Sequence, residues 1–566
     1  MHKQWLFRPL PASSAVTTLA DAISVNPAIA TLLVQKGITS FDQARDYFRP
    51  SLADLHDPFA MQGMRKAVRR LIQAIKSHEA VLVYGDYDVD GVTAVALVYG
   101  FIKRLHDRVQ FYVPDRYTEG YGFSQQAVSW AARMGIRLII TLDCGIKAVH
   151  CIQQAQAAGI DVIVCDHHEP GGVLPPAYAI LDPKQPTCSY PFKELSGCGV
   201  GFKLLQALSL HAKLPAEPLY TYLDLVAVSI ACDLVPMIGE NRILAYHGLH
   251  KLNTHPHLGL RSLIQAANLC PPLGASALVF GLGPRLNAAG RIDHGSLAVH
   301  LLLATDQATA DALARTLEAK NDLRKYLDST ITAEAISMLA SDAHAAQAKT
   351  TVLFKEDWHK GVIGIVAARC IEQYHRPTVI LTAAGGKATG SARSVRGFNI
   401  YEALTACHDL LDQYGGHAHA AGLTLPLERV ADFQERFEAV VARSIQDDLL
   451  VPTQRVDLSI SLDTIDAKFY NVLKQMGPFG NGNMKASFAT DPVVASSYSV
   501  LKDKHLKLYV YQPGMCHRLE AIGFGLAKYE PVIRDQKPFR IVYTLGENDY
   551  LGARSLQLTI KDIQGK

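Results

Sequence analysis

The chain has 566 residues, 49% of them hydrophobic, too many for one core, so roughly three or four domains are expected. Fifty-six basic against fifty-three acidic residues leave a net charge of +3, so no global field attracts nucleic acid or a membrane surface, and any anionic partner must be held by local clusters. Ten cysteines without a CxxC pair argue against a zinc ribbon or a disulfide framework, and without signal-peptide order at Met1–Pro9 or an apolar run of about 18 residues the default expectation is a soluble cytoplasmic protein with no membrane span.

Residues 1–75 carry helical periodicity broken by Pro27, Pro50 and Pro58, with Thr39-Ser40-Phe41-Asp42 as a helix start, and read as a helical lead-in. From Val81 the pattern changes. Short β-rich runs at Val81–Tyr84, Val109–Val113, Leu138–Leu142 and Val162–Cys165 recur about every 25 residues with helical stretches between them. Such βαβ spacing predicts a parallel, doubly wound sheet in a domain spanning 76–295.

The run Val81-Leu82-Val83 leads directly into Asp86, Asp88 and Asp90 at alternate positions. In extended backbone such residues project to one face, so three carboxylates are expected to converge at a strand end, where their repulsion calls for a divalent cation. Asp143 follows the third run, and Asp166-His167-His168 follow the fourth, again at carboxyl ends of strands, where open α/β sheets bind ligands. Asp233, where an apolar helix ends before Pro236, adds a donor from a separate segment. Arg116 stands just after the second run, while Gly197-Cys198-Gly199-Val200-Gly201 follows no clear strand and reads as close helix packing, not a dinucleotide loop.

Residues 296–342 lack glycine and proline and read as connecting helices. A second α/β unit, 343–448, begins near Thr350 and holds two glycine-rich stretches, Gly385–Arg396 with Ser391 and Arg393, and Gly415–Gly422 with His417 and His419. Backbone N–H groups, hydroxyls and guanidinium are the set that cradles phosphate; His419 reads as a structural histidine. From 449 to 566, alternating strands and turns predict a small β-barrel.

The aspartates do not form a calcium loop, since the later glutamate is missing and a strand precedes them where a helix is required. Helix capping accounts for one carboxylate, not three. Oxygen-rich donors with one imidazole suit Mn²⁺ or Mg²⁺ better than zinc. At least five donors make two ions plausible, and paired ions serve in-line phosphoryl displacement, so phosphoester hydrolysis is the chemistry expected.

The motifs Gly85–Gly91, Pro114–Gly122, Thr141–Gly145, Asp166-His167-His168, Gly283–Arg291, Trp358–Val366 and Gly415–Gly422 together resemble the DHH phosphoesterase superfamily, and within it the RecJ family of single-strand-specific exonucleases, over nearly the whole chain. The resemblance implies a catalytic DHH domain, a DHH-associated domain closing over it, and a C-terminal OB fold gripping single strands. It implies a metal-dependent 5′-to-3′ exonuclease that degrades single-stranded DNA to mononucleotides in recombination and repair, with a RecQ-type helicase and a single-strand-binding protein as partners and no second subunit needed. By similarity Asp88, Asp90, Asp143, His167 and Asp233 hold the metals, Asp143 bridging, while Asp86 and His168 support ligands or the scissile phosphate. Arg116, Ser391 and Arg393 resemble a 5′-phosphate pocket, and Arg285, Arg291 and His417 a strand path narrow enough to exclude duplex. Met484 stands where the family more usually has proline. The rival readings are a phosphodiesterase for short oligonucleotides or cyclic dinucleotides, which usually lacks the barrel, and a catalytically silent DNA-binding scaffold, which would have lost ligands.

Overall fold

The computed structural model describes residues 3–342, 344, 347–515, 517–534, 536–550 and 553–565. The chain divides into two compact units, one of residues 50–326 with 478–484, the other of 1–49, 327–477 and 485–566.

The chain opens with a strand, β1 (Gln4–Phe7), where the periodicity predicts helix. Helices Ser13–Ile23, Pro27–Val34 and Phe41–Phe48 follow, the last capped by Ser40, which accepts from the N–H of Gln43. The lead-in is therefore helical except at its start, where four residues are held by pairing with a distant strand rather than by local periodicity.

In the unit of residues 50–326 lies a sheet of β2 (Val81–Gly85), β3 (Val109–Tyr112), β4 (Leu138–Leu142), β5 (Asp161–Cys165) and β6 (Ala179–Leu181), parallel throughout and ordered β3-β2-β4-β5-β6. Every residue of β2 and β4 is buried, as a sheet covered on both faces requires. Alternate residues feed two cores. Val81, Val83, Ile140 and Leu142 pack with helices Val89–Lys103, Gly197–Ala212 and Leu223–Cys232. Leu82, Tyr84 and Ile139 pack with helices Gln125–Arg133 and Val149–Ala157. The chain moves from β2 to β3 in one direction and places β4 on the other side, so the switch point lies between β2 and β4 and their carboxyl ends frame a crevice. Asp86 follows one and Asp143 the other.

The second unit holds a sheet of β7 (Thr351–Phe354), β8 (Thr378–Ala384), β9 (Lys387–Arg393), β10 (Gln413–His417) and β11 (Ala420–Pro426), ordered β10-β11-β9-β8-β7, with only β7 and β8 parallel. The first glycine-rich stretch is not a phosphate loop. Gly385 and Gly386, at φ 60° and 76°, make the two-residue turn between β8 and β9, and the following N–H groups are spent in the ladder. A 35-residue helix, Gln307–Ser341, precedes this sheet.

The last part of the chain adds β12 (Thr453–Val456), β13 (Leu458–Ser459), β14 (Phe488–Leu501), β15 (His505–Tyr511), β16 (Leu519–Gly523), β17 (Phe539–Tyr550) and β18 (Ala553–Gly565). Pairings run β14-β15-β16-β18-β17 and back to β14, closing a five-stranded barrel. β1 lies parallel to β12 with Gln4 opposite Thr453. Among the described residues no single helix is long and apolar enough to cross a membrane.

Helix Gly197–Ala212 is tied down by a buried ion pair. Lys203 Nζ lies 3.0 Å from Glu240 and donates to the His56 carbonyl at 2.7 Å, while the Tyr190 hydroxyl donates to Glu240 at 2.6 Å. Lys203→Met strands the Glu240 carboxylate and is expected to cost about 3–5 kcal/mol in chemical denaturation; adding Glu240→Gln should recover part of that loss, and a single variant as stable as the parent would contradict the assignment.

Candidate active site

The strand ends place the acidic side chains, though not as an extended segment would. β2 stops at Gly85, Asp86 follows it, Asp88 is the N-cap of helix Val89–Lys103, accepting from the Gly91 N–H at 3.1 Å, and Asp90 stands in the first turn. The three carboxylates converge because the chain turns from strand into helix within three residues. A Cβ on Gly91 would lie 2.3 Å from the Asp86 carbonyl oxygen, so that turn closes only around glycine. At the end of β4, Asp143 has φ 59°, the left-handed region, a conformation that costs a non-glycine residue roughly 1–3 kcal/mol and collects at functional sites. Gly197 permits its position: a Cβ there would stand 2.6 Å from that of Asp143.

Of the four groups of side chains among the described residues that offer ligand atoms within 4.8 Å of one another, three stand at these strand ends: Asp86, Asp88 and Asp143; Asp90, His167 and Asp233; and Asp143, His167 and His168. Nε2 of His167 is 3.1 Å from Asp143, 3.6 Å from Asp233 and 3.7 Å from Asp90. Asp143 therefore stands between the first two groups. Burial, followed by the charges of Asp90, Asp88, Asp233 and Asp86, pushes the Asp143 carboxyl well above its ordinary range. Burial and Asp88 do the same to Asp86, and burial with Asp90 and Asp88 to Asp233. Burial also lowers the His167 pKa, favouring the neutral ring that binds metal.

A divalent ion fits this donor set. Asp86 is 1% exposed, and among the described residues neither of its carboxylate oxygens meets a donor in hydrogen-bonding geometry; the Tyr87 N–H, the Arg116 charge and the Gly122 N–H oppose the rise in its pKa without reversing it. A buried carboxylate left so is costly, and an oxygen-seeking Mn²⁺ or Mg²⁺ is its natural complement. Asp86 thus groups with Asp88 and Asp143 as a candidate ligand, where the resemblance implies support.

Asp166 does the opposite. Its carboxylate accepts from the N–H groups of Ile146 (2.9 Å), His167 (2.8 Å) and His168 (3.2 Å) and from Nδ1 of His168 (2.7 Å). Burial opposes its ionisation, but the hydrogen bond and charge of His168 and the Ile146 N–H hold its pKa far below the usual range. Although it was a candidate donor by position, its oxygens are spent on fixing the loop and the His168 ring.

Several contributors escape a reading of the sequence. Asp90 accepts from the N–H groups of Gly197 (2.6 Å) and Cys198 (2.8 Å) at a helix N-terminus and from the Ser229 hydroxyl (2.7 Å), which also bonds Ser196 at 2.6 Å. Ser229 and Asp233 lie four residues apart in one helical segment, hence on one face, a signal that was available. The Tyr121 hydroxyl meets Nε2 of His168 at 2.9 Å. Asn481 brackets the Asp233 loop, its carbonyl accepting from the Met237 N–H at 2.6 Å and its amide donating to the Leu234 carbonyl at 2.7 Å.

The expected substrate contacts divide. The Arg116 guanidinium lies 4.6 Å over the Tyr87 ring, beside Asp86, with no ion pair to Asp115. Arg285, expected on the strand's path, is 8% exposed and holds Glu318 through Nε and Nη2 and the Gly281 carbonyl through Nη1 at 2.6 Å, so its donors brace helix Gly283–Ile292. The Arg291 carbonyl accepts from the Tyr117 hydroxyl. In the other unit, Arg393 donates to the Ser391 hydroxyl at 3.2 Å, and a Cβ on Gly364, in the first turn of helix Ile363–Tyr374, would stand 2.8 Å from Ser391 Oγ and 3.0 Å from Arg393 Nη2. His417 and His419 are exposed at the β10–β11 turn, with rings 6.0 Å apart, so His419 is not a buried structural histidine; the turn carries it outward.

The chain matches the family description "DHH family, N-terminal domain" over residues 80–230, "DHHA1 domain" over 325–443 and "RecJ OB domain" over 456–562. It is 38% identical to the single-stranded-DNA-specific exonuclease RecJ of Bacillus subtilis over 98% of this chain and 70% of that protein. It is 34% identical to RecJ of Salmonella typhimurium over the whole of both. The crystal structure of Thermus thermophilus RecJ with Mn²⁺ superimposes with TM-score 0.86 at 28% identity, covering all of this chain and 80% of that one. An exonuclease RecJ bound to manganese gives 0.61 at 34% identity, covering 70% and 97%.

Ser229→Ala is expected to weaken Mn²⁺ binding about 10- to 100-fold, the scale for losing a hydrogen bond that orients a ligand. Electron paramagnetic resonance of free Mn²⁺ during a titration reads this directly, and an unchanged isotherm would contradict it.

Proposed function

The chain belongs to the RecJ family, and on that premise we propose that it degrades single-stranded DNA stepwise from the 5′ end, releasing mononucleotides by hydrolysis with Mn²⁺ or Mg²⁺. The observation that carries this reading is the pair of donor groups, Asp86/Asp88/Asp143 and Asp90/His167/Asp233, at the switch point of a parallel sheet. When bound, the ions would supply positive charge at the scissile phosphate and acidify a water. Asp143, lying between the groups, would be shared by them. Asp86, Asp88, Asp90, His167 and Asp233 would be the remaining ligands.

The other residues position and bind. Asp166 holds Nδ1 of His168 and raises its pKa against the effect of burial, so this partly exposed ring offers a proton-bearing nitrogen to a phosphate oxygen. Ser391 and Arg393, at the first turn of helix Ile363–Tyr374, combine hydroxyl, guanidinium and helix N-terminus, a set suited to a terminal 5′ phosphate and so to setting polarity. Arg116 and Arg291 in the one unit, and His417 in the other, are contacts for the strand, and Arg285 steadies the helix that carries Arg291. The barrel holds single strands by stacking and cationic contacts that tolerate any sequence. The closed barrel favours long strands over the short-oligonucleotide reading, and the full ligand set favours catalysis over the scaffold reading. The setting is the cytoplasm, the role recombination and repair beside a RecQ-type helicase and a single-strand-binding protein, and the working form a monomer.

The test uses purified protein with Mn²⁺ on a single strand labelled at its 3′ end, beside the matching blunt duplex and an EDTA control. Progressive shortening of the single strand alone is expected, lost with EDTA; no shortening, or cleavage confined to dinucleotides, would refute the reading. Asp143→Ala should abolish turnover while DNA binding persists, and full turnover in that variant would remove the bridging assignment. Arg393→Ala should erase most of the rate advantage of a 5′-phosphorylated end, and an advantage equal to the parent's would exclude the phosphate pocket.

A further inference from the structure

Beside the barrel lies a cavity of about 440 Å³ whose lining includes Trp5, Phe7, Ser461, Asp491, Gln512 and Arg540. β1 forms one wall, so the strand that helical periodicity does not foresee completes this pocket. The volume is of the order that holds one small organic ligand, about 300–1,000 Å³.

Its walls are built. The Trp5 indole donates from Nε1 to buried Asp562 at 2.7 Å, and the Tyr529 hydroxyl donates to the same carboxylate at 2.8 Å. The Arg540 guanidinium lies 4.8 Å over that indole and is steered by Gln564 at 2.6 Å. Phe7, 53% exposed, stands 6.5 Å from Trp5 between ring centroids. A fixed guanidinium plane and a half-exposed phenyl ring thus share one concavity. Gln512 is also fixed: its carbonyl accepts from the Ser461 hydroxyl at 2.8 Å and the Leu462 N–H at 2.7 Å. Its amide nitrogen meets no acceptor among the described residues, leaving two donors at the lining.

The chemistry selects a planar ligand with acceptors on its edge. Arg540 and Asp491 stand in the same lining with opposite charges, so no net field favours a free anion or an acidic peptide. Guanidinium planes and aromatic rings are the surfaces on which unpaired bases stack. We propose that this pocket captures one nucleobase of a single strand, stacked on Phe7 and the Arg540 plane and read at its edge by Gln512. The site rests on the exonuclease reading for its substrate but is separate from the metal-binding residues. It is a holding point for the strand rather than part of the chemistry.

The test measures binding by the full chain in EDTA, where no hydrolysis occurs, to a fluorescein-labelled strand of about twelve deoxyadenylates, near the upper end of single-site lengths. Anisotropy should show Phe7→Ala binding on the order of tenfold more weakly, the scale of one lost stack, and Phe7→Trp binding as tightly as the parent. Phe7 is exposed enough that its truncation should not unfold the chain. The Trp5 emission, taken as the difference between the parent and Trp5→Phe, should be quenched at the same strand concentrations. Parent-like affinity in Phe7→Ala, or emission unmoved by the strand, would overturn the pocket, as would emission that moves only with an apolar peptide, which would assign the cavity to a protein partner. Parent protein that binds the strand in EDTA and degrades it with Mn²⁺ while these signals stay silent loses only the pocket; parent protein that neither binds nor degrades the strand loses the exonuclease reading itself.

Discussion

Five carboxylates, Asp86, Asp88, Asp90, Asp143 and Asp233, are gathered in two adjoining donor groups with one imidazole, and Asp86, Asp90 and Asp143 are buried. That crowding is the constraint on which the site depends. Like charges at such distances in a poorly hydrated place repel strongly, and the folded chain tolerates them only by holding protons or by holding cations. The raised pKa values of Asp86, Asp143 and Asp233 express the first alternative, and the geometry of the donor groups provides the second.

The surrounding fold can be read as the means of keeping the cluster in place. A parallel sheet buried on both faces fixes the ends of β2, β4 and β5. Glycines at 91 and 197 admit backbone closer than any side chain would allow. A helix N-terminus with two serines holds Asp90, and Asn481 holds the loop after Asp233. Aspartate plays two roles within one site: Asp166 has four donors and stays ionised as a bracket, while Asp86, without a well-placed donor, keeps its oxygens for a cation.

Much of this is legible in the sequence because the signals are local. Apolar runs ending in Asp86, Asp143 and Asp166 give both the strands and the place of the site, and the motif order gives the family. The mechanism of convergence is less legible: alternate aspartates suggest extended backbone, but the helix starts at Val89, and a turn does the gathering. Arg285 looks like a substrate contact and is bound to Glu318, a pairing 33 residues away that no local pattern encodes. The same holds for β1, whose partner β12 lies more than 440 positions on, and for Gly385–Gly386, where composition suggests a phosphate loop and register makes a hairpin turn.

The most direct measurement is the number of Mn²⁺ ions bound per chain by the metal-stripped protein, followed together with its melting temperature. Two ions and a clear rise in melting temperature are expected, since a ligand at a hundred times its Kd adds about 2.7 kcal/mol per site. A chain that binds no Mn²⁺, or binds it without gaining stability, would contradict the view that this carboxylate cluster is built to be neutralised by metal.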